Sequence, residues 1–204
     1  GPREQDVDEP PAARDPFATD PIPPELAPLH ALVGRGGRLG RTQLGTLRRY
    51  SNDNRDDPRA DLILAHGYTN QRSLSDALTS YEQVFQVDPS ARGYPYMLTD
   101  LLVIARANDD SLSEPAALLV SRAYGAEAEG EIDRQLSRGF RLPSERERMQ
   151  ALRDRIARNA YDLMNERYEW SVVGRTLESA YASLAGARQE RSERTAAPRR
   201  GRVR

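Results

Sequence analysis

The chain has 204 residues, of which 38% are hydrophobic and 30% charged, with a formal net charge of −1. That length supports one domain with a real core and is short for two. There is no cysteine and every one of the 30 basic residues is arginine, which excludes disulfides, zinc-thiolate sites, thiolate nucleophiles, Schiff-base lysines and a phosphate-loop lysine.

The near-neutral total hides two opposed ends. Gly1–Glu25 carries a net −5 and Arg188–Arg204 a net +5. Gly1-Pro2 reads as a protease-cleavage remnant, with the natural N-terminus expected upstream. Residues 1–23 read as an acidic, proline-rich linker, because Val7, Phe17 and Ile22 are too few apolar side chains to offset the entropy of ordering it. Residues 188–204 read as a basic disordered tail. Between them, 24–187 is the expected folded domain. The longest apolar runs, Leu101–Ala105 and Ala116–Val120, are far too short to span a bilayer, and a cytoplasmic location is expected. The arginine-only basic set fits the codon usage of a GC-rich bacterium.

Pro23-Pro24-Glu25 opens a first helix with Leu26, Leu29, Leu32 and Val33 on its apolar stripe. Gly34–Gly40 breaks it, and a short helix follows at Thr42–Tyr50. The polar string Ser51–Asp57 leads into two amphipathic helices, 58–70 and 73–87, closed by Asp88-Pro89. Tyr96–Ala107 is apolar on nearly all sides and reads as a buried helix. Ser113 is expected to cap a helix from Pro115 to Tyr124. Glu127–Arg138 follows, anchored by Ile132 and Leu136, and Gly139 stops it. A long helix opens at Pro143 and carries Met149, Leu152, Ile156, Ala160 and Leu163, and a last one covers Trp170–Ala187. An offset of 96 residues sets Leu74, Tyr81 and Val84 on Trp170, Leu177 and Ala180, a faint three-period repeat. No segment alternates with the two-residue period of a strand, so the fold class is all-α.

Leu64, Ala65, Tyr68, Ala77, Tyr81 and Pro89 stand at spacings that resemble a tetratricopeptide repeat, a helix–turn–helix unit of about 34 residues. Asp61 departs from the large apolar residue usual at its position, and Val84 from the usual alanine. The resemblance implies antiparallel helix pairs stacked as a short α-solenoid, with the first helix of each pair lining a groove for a partner protein or peptide. Carried onto this chain, the groove positions are Arg59, Leu62, Ile63, His66, Thr69 and Asn70. The basic cluster by which some repeats of this kind grip a terminal carboxylate is not matched, since Leu62 and His66 stand at key places. The acidic linker and the Asp88–Gly93 turn also resemble the C-terminal regions of large bacterial serine/threonine protein kinases, whose catalytic motifs are absent here.

Gly34–Gly40 lacks the preceding strand of a dinucleotide loop, and Leu39 fills its last glycine position. A calcium loop begun at Asp53 would place Pro58 and Leu64 where glycine and glutamate are required. The histidines, His30 and His66, lie on different helices without a partner nearby in sequence, and His66 is expected in the groove or at the surface. The expectation is therefore a non-catalytic scaffolding module without a cofactor or metal. The alternative is polyanion or nucleic-acid binding through Arg199, Arg200, Arg202 and Arg204, although no aromatic residues interleave with them to stack bases.

Overall fold

The computed structural model describes residues 11–139 and 143–167. Among these residues there are helices and no strand. The helices are α1 (Pro16–Thr19), α2 (Ala27–Gly34), α3 (Arg41–Asp53), α4 (Arg59–Asn70) and α5 (Leu74–Val87). A 3-10 turn, Pro89–Gly93, precedes α6 (Met97–Ala105), α7 (Asp110–Tyr124), α8 (Ala126–Arg138) and α9 (Pro143–Arg167). The chain divides into two compact units, Gly1–Ala160 and Tyr161–Arg204. The helix expected over 170–187, the 96-residue offset and the basic tail lie outside the described residues.

The α4–α5 hairpin is the tightest pair in the first unit, and α6–α7 is the next. Ala65 and Ala77 are both fully buried, so the small side chains expected to let two axes approach do lie inside the hairpin. Tyr81 and Val84 are also fully buried, and Tyr68 nearly so. Burying side chains of this size contributes roughly 1.5–3 kcal/mol each. The turn between the two helices closes as a Schellman motif. Ser73 N–H donates to Tyr68 O and Arg72 N–H to Thr69 O, both at 3.0 Å, while Arg72 takes a left-handed φ of 64°.

Both α2 and α3 lie against α4, and α4 in turn contacts α6. On the other side α5 meets α6 and α7, and α7 meets α8. Neighbouring hairpins thus pack in sequence order, an arrangement compatible with a helical repeat. Helix α9 carries Met149, Leu152 and Ile156 into the core at a spacing of three and four residues.

Two local expectations are corrected. Part of the proposed linker is ordered: Phe17 is buried, and Arg14 donates to Asp88 at 2.7 Å while its N–H meets the Ser90 carbonyl at 2.7 Å. The sequence hid this because one aromatic and one ion pair suffice to dock a segment whose average composition is polar. Next, α7 begins at Asp110 and not at Pro115. Asp109 Oδ1 accepts from both Ser111 N–H and Ser111 Oγ, a stronger cap than Ser113 offers, and Pro115 is carried inside the helix. The glycine loop is pinned as well. Leu39 is 5% exposed and presses on Gly67 of α4, where any Cβ would collide with it.

Candidate functional site

Each expected groove residue on α4 is engaged inside the fold. Leu62 and Ile63 are fully buried, and His66 and Thr69 are 7% and 8% exposed. Thr69 Oγ1 donates to the Ala65 carbonyl at 3.0 Å. Arg59 is held by Asp57 at 2.7 Å and donates to the Pro21 carbonyl at 2.7 Å. Asn70 Nδ2 donates to the Val33 carbonyl at 3.0 Å. The face expected to be an open groove is occupied by α2, α3 and the N-terminal segment. A repeat pattern specifies which residues lie on a face but not whether preceding helices fold back over it.

The expectation that His66 is a groove or surface residue also needs correcting. Its Nδ1 lies 2.7 Å from Asp100 Oδ2, and Tyr81 donates its hydroxyl to the same oxygen at 2.6 Å. Tyr96 stacks on the imidazole with centroids 4.1 Å apart. Asp100 is only 6% exposed. Burial, followed by the Asp100 carboxylate, pushes the Tyr81 phenol well above its ordinary value, so the proton stays on Tyr81 and the phenol is the donor. The three residues come from α4, α5 and α6 and join them at one oxygen. Sequence separation concealed this, since Asp100 lies 34 positions beyond His66. The only hint was an aspartate within an otherwise apolar helix.

A second cluster seats the N-terminal segment. Phe17 stacks on His30 with centroids 3.9 Å apart, and Tyr94 lies tilted against both. Tyr94 meets Tyr96 edge-on at 5.4 Å, so the aromatic cluster runs on to the ring that covers His66. Burial first, with His66 adding to it, holds the His30 imidazole below its ordinary value against the pull of Asp15. Asp88 anchors the other side. Burial alone would raise its carboxyl, but hydrogen bonds from Ser90 and Arg14 outweigh that and hold it below the usual carboxylate range.

Asp61, at the position that departs from the repeat pattern, accepts from Ser51 Oγ at 2.9 Å, and burial raises its carboxyl above the ordinary value. Among the described residues, no group of three or more His, Cys, Asp or Glu is placed to hold a metal ion. No helix among them is long and apolar enough to cross a membrane. Tyr161 and Met164, one turn apart on α9, are the exposed large hydrophobic side chains of the described residues, at 68% and 51%. The arginines Arg199, Arg200, Arg202 and Arg204 lie outside the described residues.

No family model matches the chain, and comparison with curated proteins and with solved structures gave no match.

Proposed function

We propose that this chain is a non-catalytic helical-repeat module that binds a partner protein. The observation that carries the reading is the exposed pair Tyr161 and Met164, an aromatic and a flexible thioether one turn apart on α9. Side chains of these types anchor protein interfaces out of proportion to their number. The sequential packing of hairpins supports the repeat part of the reading, because it spends the inner faces of α4 and α6 on the core and leaves recognition to outer surfaces. The cluster most like a catalytic one, His66 with Asp100 and Tyr81, is closed from solvent and paired within itself.

Capture from a source lysate with the full chain as bait tests the proposal. A single retained protein is expected, lost when Tyr161→Glu and Met164→Glu are combined and kept when Arg199, Arg200, Arg202 and Arg204 are changed to serine. Loss with the serine variant instead would select the polyanion alternative. Equal retention by the Tyr161/Met164 variant would end the proposed site.

A further inference from the structure

Helix α6 ends at Ala105, and Arg106 stands at its C-cap with Nε donating to the Leu102 carbonyl at 2.9 Å. Opposite it runs α9. Arg148 and Arg155 are seven residues apart, so they project two turns apart from one side of that helix. Arg148 Nη1 donates to Asn108 Oδ1 at 3.3 Å, and Arg155 Nη1 to Ser113 Oγ at 3.0 Å. Ser113 itself is 2% exposed. These side chains line a cavity of about 110 Å³ between the end of α6, the start of α7 and α9. It opens beside a shallower groove past Ser144 and Glu147.

The charge in this cleft is unbalanced. Three guanidiniums face one carboxylate, that of Asp110. Other arginines of the fold reach an acid: Arg14 to Asp88, Arg59 to Asp57, Arg134 to Glu131, and Arg153, on α9 itself, to Asp133 at 3.1 Å. Arg106, Arg148 and Arg155 form no ion pair among the described residues. A guanidinium carries five N–H donors, and Arg106 uses one of them here. Burial first, then the positive charges of Arg148 and Arg72, hold Arg106 below the usual guanidinium value, with Glu145 acting in the opposite sense. Gathering like charges at a half-buried place costs stability unless an anion joins them.

We propose that this cleft binds a phosphoryl group, with Arg106, Arg148 and Arg155 supplying charge and Ser113 and Asn108 the remaining polar wall. The volume decides the size of the ligand group. A cavity of about 110 Å³ falls well below the roughly 300–1,000 Å³ of whole-ligand pockets and suits one tetrahedral oxyanion. Forked guanidinium donors match the oxygens of such a group. The phosphoryl group can belong to a small phosphate compound or to a phosphorylated side chain. The site goes beyond the partner-binding proposal and uses none of its residues.

The test is thermal unfolding of the full chain in phosphate against chloride of equal ionic strength, with calorimetric titration of inorganic phosphate and of a phosphoserine peptide. Ligand binding to the native state raises Tm by mass action. A rise is expected, and Arg148→Glu, at an exposed position, should abolish it. Arg106→Gln should weaken binding roughly tenfold or more. Arg122→Glu, exposed on α7, should leave it unchanged. A response to inorganic phosphate assigns a small ligand, and a response to the phosphopeptide alone assigns a phosphorylated protein; either supports the site. No response to either probe, or a response undiminished in Arg148→Glu, overturns it.

Discussion

Gly93 lies directly beneath the backbone of Arg14: a Cβ added at Gly93 would stand 2.5 Å from the Arg14 carbonyl carbon and 2.7 Å from its nitrogen. The 3-10 turn is therefore shaped to receive the N-terminal segment, which then buries Phe17 against His30 and Tyr94. Unlike a side-chain collision, a collision with backbone cannot be relieved by a change of rotamer. Gly93→Ala is expected to release residues 11–19, costing about 2 kcal/mol. Faster tryptic cleavage after Arg14 would report the release. Combining the change with Phe17→Ala should add little further, because both act through the same docked segment. Full additivity in urea unfolding would refute the coupling.

Docking of that segment should also respond to acid. Burial holds His30 below its ordinary value, so the unfolded chain takes up the proton more readily than the folded one. Stability is then full above the ordinary imidazole value of about 6.5 and is lost as pH falls below it. Asp88, held low, adds a second loss once pH falls below the ordinary carboxylate range. Urea midpoints measured from pH 7 down to pH 5 should fall for the natural chain and flatten for His30→Gln. An unchanged slope in that variant would assign the loss to other groups.

At the centre, one oxygen of Asp100 serves two partners. Tyr81→Phe removes a donor to a buried carboxylate and should cost about 1.5–3 kcal/mol. Asp100→Asn should cost more, about 3–5 kcal/mol, because it disturbs both His66 and Tyr81 at once. The double variant should fall well short of the sum in denaturant unfolding.

Arg72 offers a change in the opposite direction. It occupies the left-handed position of the turn between α4 and α5, where a Cβ is unfavourable and glycine is preferred. Arg72→Gly should raise stability by about 1 kcal/mol, seen as a higher Tm, since the side chain is exposed and accepts no structural duty. A lower Tm would show that the arginine contributes more than its backbone strain costs.

Helix positions and the α4–α5 hairpin were legible in the sequence because period, caps and small residues act over a few positions. Ala65, Ala77 and Tyr81 lie inside the hairpin as their spacing implied. The site residues were less legible, since their partners are remote in sequence. Arg59 and Asn70 look like free groove side chains until Pro21 and Val33 are brought to them by the fold. Asp100 stands in a helix that reads as buried, but its partners His66 and Tyr81 are supplied by other helices, and Arg106 gains its neighbours only when α9 packs beside α7. Polar residues acquire their meaning from tertiary neighbours, whereas apolar periodicity carries its own.

The missing side chain at Gly67 lets Leu39 wedge against α4 from the loop before α3. Helices α2, α3, α5 and α6 pack on that same helix. A unit inserted beside that helix would have to displace one of these packed neighbours.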